Sequence, residues 1–338
     1  MPGWPDVVSG FKLLKEVDLN AVREKAESPL HVMVVGREGC GRTTLINQLL
    51  AGPRPDQPPG IPPLSEHAVD GEIITKPESL VLLVLDPAQS PHEEERRLCR
   101  KLLHNGARVV ACYNKVDRAD DIQIILNGAA GWREAEVAAV SAINRESVLR
   151  ELIPAILRAG KGLEIPLARR VPLLREPVCS KLIEEACFVN STYSLTTGVA
   201  EINVLLDIPL NLADIVVLTK NQALMAYKIS LAMGMSADWK ETVPKLATVV
   251  GSAFLWRQAA RSLVGLVPAW GIIPKVAIAY AGTYAVGQAI YHWCISGEKL
   301  KQNMIKPMYN AALQRGRSTA RLLLERKQGG QLLQVNTG

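Results

Sequence analysis

The sequence predicts an α/β three-layer sandwich around a mostly parallel sheet, followed by an all-α C-terminal region. Three observations predict it. Short apolar runs alternate with helix-compatible stretches as far as about residue 160. A glycine-rich turn joins the first such run to the first helix. Beyond Pro154 the alternation ends, and the remainder is helix-compatible with long apolar stretches. At 338 residues the chain is long enough to bury a core in each of two domains.

Taken in order, Val7, Val8, Phe11, Leu14 and Val17 recur at helical spacing and predict an amphipathic helix over 1–28. His31–Gly36 reads as a buried central strand, because it is short and rich in β-branched residues. A helix opens over Thr43–Leu50, and the Pro- and Gly-rich residues 51–63 predict a loop. Glu72–Thr75 is a candidate strand, and Leu80–Leu85 is a second buried strand that ends at Asp86. A helix over 92–105 leads into a strand over Arg108–Tyr113, and Val137–Val140 is the last short strand. Ligands then belong at the carboxyl ends of the strands. The expected plan is a helix over 1–28, an α/β domain over 29–160, a Pro-containing linker over 161–177, a helical domain over 178–328 and a tail over 329–338.

Apolar residues make up 48% and charged residues 21%, a globular rather than a disordered composition. The net charge of +6 is concentrated between Glu298 and Lys327, so the rest of the chain is close to neutral. Such a basic stretch suits a membrane surface, an RNA or an acidic partner, or is simply a solvated helix face. The six cysteines form no C-x-x-C pair and do not cluster with the five histidines, so no zinc site is expected. No basic segment followed by an apolar run opens the chain, so neither a secretory signal nor disulfides are expected, and a cytosolic setting is.

Gly36-Arg37-Glu38-Gly39-Cys40-Gly41-Arg42-Thr43 has the spacing G-x-x-x-x-G-K-[ST], with Arg42 in place of the lysine and Thr44 following. Glycines let backbone amides curl around a phosphate, and a helix N-terminus adds partial positive charge. Thr43 would supply the hydroxyl for Mg²⁺. Alone, this segment is as consistent with a glycine-rich turn of no function. Asn114-Lys115-Val116-Asp117 changes that balance, since N-K-x-D at a strand end is a guanine-reading signature. The carboxylate of Asp117 can accept two hydrogen bonds from guanine N1–H and its exocyclic amine, an edge adenine lacks. Asn114 would brace the base and the glycine-rich loop, and the stem of Lys115 would cover the ring. Ser141-Ala142 follows the last strand, where a backbone amide can meet guanine O6.

These residues, in this order, make 30–160 resemble the GTPase domains of the Era/TrmE type. The later half resembles the YcjF-type helical domain that often follows them. That second resemblance rests on Ile208-Pro209 with Asp214, Thr219-Lys220-Asn221-Gln222 before Met225, Leu266–Gly271 and Ala281–Ala285. The two resemblances imply a P-loop NTPase fold, GTP or GDP with Mg²⁺ as the bound group, and a helical domain that meets a membrane surface, a membrane protein or a second copy in a homodimer. No nucleic-acid partner is expected.

The pattern breaks at the phosphate end. GTPases of this type carry a D-x-x-G whose Asp holds Mg²⁺ and whose Gly senses the third phosphate. Between Leu50 and Leu80 there is none; Asp70-Gly71 is the nearest remnant, and Asp86–Gln89 is a substitute without the Gly. That segment is also shorter than two switches require, with Ser65 and Thr75 as its candidate hydroxyl ligands. Arg42 keeps the lysine's charge without its compact shape. The expectation is a guanine-nucleotide binder with slow or absent hydrolysis. Its rivals are a GTPase completed in trans and a docking module with no nucleotide.

In the helical half, Asp207 and Asp214 read as caps beside Pro209 and Asn211. Leu246–Val267 contains Arg257 and Arg261, which favours a buried amphipathic helix over a spanning one. Val276–Ile295 is uncharged and twenty residues long, the length a spanning helix needs. Ala281, Ala285 and Ala289 give it a small-residue face for close packing in water or in lipid. Trp256, Trp270 and Trp293 suit a membrane interface or a helical core equally.

Overall fold

A computed structural model of the chain describes residues 19–53, 64–71, 73, 75–118, 131, 132, 134–202, 212–250 and 272–335. These form two compact units. One comprises Glu24–Val178 with Ala232–Gly234; the other takes the described residues before Glu24, Cys179–Leu231 and those from Met235 onward.

The first unit begins at Glu24, within helix α1 (Leu19–Glu27), and continues with strand β1 (Val32–Gly36) and helix α2 (Arg42–Leu50). Strands β2 (Ser65–Ala68) and β3 (Leu80–Leu85), helix α3 (Glu93–His104), and strands β4 (Arg108–Tyr113) and β5 (Glu136–Ala139) come next. Helical turns from Arg145 continue into α4 (Ile153–Ala159). The five strands are all parallel, in the order β2-β1-β3-β4-β5. The chain is therefore an α/β fold with a C-terminal helical region.

Apolar runs without alternation become central strands because both faces of a parallel sheet are covered. Val35, Leu83, Leu85, Val109 and Ala111 lie on one face with Cys99 and Leu102 of α3. Their neighbours Val34, Leu82, Val110 and Cys112 point to the opposite face and are equally buried. Helix α3 opens on Glu93, Glu94 and Glu95 and closes with Lys101 and His104, a charge order that complements its dipole.

Two expectations are corrected here. The edge strand is Ser65–Ala68, not 72–75; Ile73 and Thr75 are outside any strand, and residues 72 and 74 lie outside those described. Strand β2 is held by backbone pairing to β1, with Val34 opposite Glu66, so its polar side chains can alternate between half-buried and exposed. No hydrophobic pattern announces such an edge. The segment expected as a linker over 161–177 is instead packed structure: α5 (Glu164–Arg170), a 3-10 turn at Pro172–Leu174, and the start of α6 (Arg175–Ile202). Leu167, Ala168, Val171, Leu173 and Leu174 are buried, and Pro172 occupies the first position of its turn, where a missing N–H costs nothing. Arg175 is fully buried and donates to the carbonyls of Ala168 at 3.2 Å and Arg169 at 3.4 Å, and also to that of Pro53.

The second unit is built from α6, α7 (Leu212–Ala232), α8 (Trp239–Val250), α9 (Ile272–Ser296) and α10 (Gln302–Val335). Small residues let its helices approach closely. A Cβ on Gly316 of α10 would lie 2.8 Å from the Cα of Ala277, and Ala281, Ala285 and Ala289 of α9 are buried. A buried polar cluster ties three helices together. Asn190 Nδ2 donates to Thr283 Oγ1 at 2.8 Å, Gln222 Nε2 donates to the same oxygen at 3.2 Å, and Asn221 Nδ2 donates to Asn190 Oδ1 at 2.8 Å.

Among the described residues no helix is long and apolar enough to cross a membrane, α9 with its 276–295 stretch included. Asp207, Pro209, Asn211, Trp256, Arg257, Arg261 and Trp270 lie outside the described residues, as do Val7, Val8, Phe11, Leu14 and Val17.

Candidate functional site

The carboxyl ends of β1, β4 and β5 converge on one loop. Strand β1 ends at Gly36, where a Cβ would meet both Cys40 Sγ and the carbonyl of Val84 at 2.6 Å. The chain can fold back over the strand end only because no side chain stands there. Gly41 caps α2 with φ 96°, in the left-handed region, and its carbonyl accepts the first helical bond from Leu45 at 3.1 Å. A Cβ on Gly41 would sit 2.3 Å from Asn114 Nδ2. The loop over Gly36–Arg42 thus ends on a helix N-terminus, a geometry that gathers backbone N–H groups toward an anion.

Asn114, directly after β4, is 2% exposed and joins three segments. Its Nδ2 donates to the carbonyl of Cys40 at 2.9 Å, and its Oδ1 accepts from the backbone N–H of Ala142 at 2.8 Å. The backbone follows suit: Val116 N–H donates to the carbonyl of Val140 at 3.3 Å, and Ser141 N–H is held by Ser147 Oγ at 3.1 Å. Asp117 is exposed, and a hydrogen bond from Ser141 holds its carboxyl below the usual carboxylate range. Asn114, Asp117, Ser141 and Ala142 are therefore one cluster, docked on the glycine-rich loop.

Lys115 is tied by its charge to the residue that follows β3. Its backbone is left-handed at φ 63°, and its ammonium lies 2.7 Å from Asp86 Oδ2. Asp86 also caps the turn after β3 by accepting from the N–H of Ala88 at 3.0 Å. The charge of Lys115 is thus held within the protein, and its stem is what remains for an apolar contact.

The outer wall of the loop is stitched to the segment after β3. Arg37 Nε lies 2.7 Å from Glu95 Oε1, Arg37 Nη2 donates to Glu95 Oε2 at 3.0 Å, and Nη1 donates to the carbonyl of Gln89 at 3.1 Å. Gln89 Nε2 returns a bond to the carbonyl of Glu38 at 3.0 Å. Glu95 is 1% exposed, so this two-pronged pair is the charge compensation its burial requires. Nearby His92 meets Tyr113 edge-on with ring centres 5.8 Å apart, and burial pushes its pKa down. Burial likewise raises the thiol of Cys40, and it pushes Cys112 up to about 12. Neither is an activated nucleophile at neutral pH.

At the N-terminus of α2 an unanticipated residue enters. Arg42 turns away from the loop onto β2: its Nη1 donates to the carbonyl of His67, and its Nε lies 3.2 Å from Glu66 Oε1. Thr43 Oγ1 is 3.3 Å from each carboxylate oxygen of Glu66. Thr44 is exposed beside them. Asp70-Gly71 lies in the turn just past β2, with Gly71 N–H bonded to the carbonyl of Ala68 at 3.3 Å. A hydroxyl and a carboxylate are hard-oxygen donors of the kind Mg²⁺ takes. Here, however, the carboxylate is already neutralised by a guanidinium, so these residues do not fit a divalent cation. Among the described residues no group of three or more His, Cys, Asp or Glu could hold a metal ion. A scan against protein-family models finds no match for the chain, and neither does a search of curated proteins.

Proposed function

We propose that the α/β unit binds a guanine nucleotide at the carboxyl ends of β1, β4 and β5 and hydrolyses it slowly or not at all. The observation that carries this reading is the double bond made by Asn114, to the Cys40 carbonyl of the phosphate loop and to the Ala142 amide. One side chain fixes the distance between a loop that can cradle phosphate and Asp117, whose carboxylate can read a base edge; the N–H groups of Ser141 and Ala142 are taken by Ser147 and Asn114. Asp117 supports guanine over adenine, because an ionised carboxylate facing adenine would lose water without gaining paired donors. Slow hydrolysis is supported by the commitment of Arg42 and Thr43 to Glu66, which engages the loop's own cation and the hydroxyl expected to meet Mg²⁺. The resemblance to Era/TrmE-type GTPases with a YcjF-type domain gives the helical unit the output side, toward a membrane surface or a protein partner on the cytosolic face.

The test is competition plus turnover. A fluorescent GDP analogue should bind and be displaced by GDP but not by ATP or ADP. Phosphate release from GTP should stay near the buffer rate. Displacement by adenine nucleotides at equal concentration would sink the guanine assignment, and ordinary GTPase rates would sink the claim of slow hydrolysis.

A further inference from the structure

We infer that Glu66 is a built-in rival of the third phosphate, so that the site takes a nucleoside diphosphate in preference to a triphosphate. The inference rests on the guanine-nucleotide reading above and names which form of the ligand the same site selects.

Loops of this spacing keep a cation at the residue before Thr43 for the β- and γ-phosphates, and keep the hydroxyl for a divalent ion. In this chain one carboxylate has taken both. Glu66 Oε1 is 3.2 Å from Arg42 Nε, and both its oxygens are 3.3 Å from Thr43 Oγ1, while the carbonyl of His67 receives another edge of the same guanidinium. The parallel register places Glu66 opposite Val34, two residues before the loop begins at Gly36. The side chain of Arg42 is only 16% exposed, so its planar fork is enclosed as well as paired.

The two ends of a nucleotide are affected unequally. A diphosphate can seat on backbone N–H groups at the start of α2, which need neither side chain. A third phosphate brings further negative charge toward the carboxylate of Glu66 and finds its usual cation already neutralised. Like charges then face each other, and the triphosphate has to displace Glu66 from Arg42 before it gains a contact. Glu66 itself is 35% exposed on an edge strand, so replacing it frees Arg42 without opening a core.

The test is a titration of the full chain with GDP and with GTP, each in excess Mg²⁺ and in chelator, for the wild type, Glu66→Gln and Glu66→Ala. The wild type should bind GDP on the order of tenfold more tightly than GTP, and both variants should bring the two to parity by strengthening GTP. GDP affinity should stay within about twofold in all three proteins, which also reports that the variants fold. Equal affinities in the wild type, or a ratio unmoved by either variant, would overturn the inference and leave the guanine reading standing. A loss of affinity in the variants that the chelator reproduces in the wild type would make Glu66 a metal ligand and overturn it too. If the wild type binds neither nucleotide, the guanine reading itself falls, and this inference with it.

Discussion

Asn114 is buried with both ends of its amide in use, one on the Cys40 carbonyl and one on the Ala142 N–H. Asn114→Ala strips two partners at once and leaves a buried carbonyl and a buried N–H unsatisfied. Urea unfolding should show a loss of about 2–4 kcal/mol, with no measurable GDP binding. Asp117 yields a pH prediction. Its folded pKa is depressed by Ser141, so the ionised form is present at and above the usual carboxylate range and is lost only as pH falls through the depressed value. GDP affinity should therefore hold from neutral pH down through the usual carboxylate range and fall only in stronger acid. Ser141→Ala should move the fall to higher pH, and an unmoved profile would refute the role given to that hydroxyl. These residues were legible because a motif carries its own geometry: N-K-x-D after a buried strand already implies an Asn that reaches the loop. The ion pair of Lys115 with Asp86 was not legible, since nothing in spacing alone aims an ammonium at the end of a neighbouring strand. Glu66 was still further from view, just past a Pro-rich stretch and without apolar alternation around it, and only strand register brings it beside Thr43.

At the scale of elements, the central strands and α3 follow from apolar runs and helix charge order, and so they were readable. The segment after Gly160 was not. Its prolines and arginines suggest an exposed connector, yet the arginines turn inward and bond carbonyls of the chain around them, Arg170 to Pro166 at 3.0 Å and Ser28 at 2.7 Å, and Arg175 to Ala168. Arginine can be buried when its donors are matched, and composition does not reveal the matching. Arg175→Ala should cost about 3–5 kcal/mol in chemical unfolding, because several buried carbonyls lose their donor together. In the helical unit the small-residue stripe of α9 is used against neighbouring helices. Gly316→Val places carbon against the backbone of Ala277, where a Cβ would meet its Cα at 2.8 Å. It should cost about 1–3 kcal/mol, read as a lowered urea midpoint. Gly282, whose added Cβ meets nothing within 4 Å, is the matched control: alanine there should be neutral or mildly stabilising.

Over the whole molecule, the division into an α/β unit and a helical unit follows from where strand-length apolar runs stop. Positive charge on the last helix lies on exposed side chains, among them Lys306, Arg317, Arg321 and Arg326. Arg315 pairs with Glu184 at 3.7 Å and lies over the Tyr284 ring. The proposed guanine site occupies one place in this chain, where Asn114 joins the glycine-rich loop after β1 to the segment after β5, with Asp117 beside it. Isothermal titration of the full chain with GDP, with ATP as control and Asp117→Ala as variant, tests it most directly. Expected are one-to-one GDP binding in the micromolar range, no heat from ATP, and at least about a tenfold loss of GDP affinity in the variant. Silence with GDP, or equal binding of GDP and ATP, would contradict it.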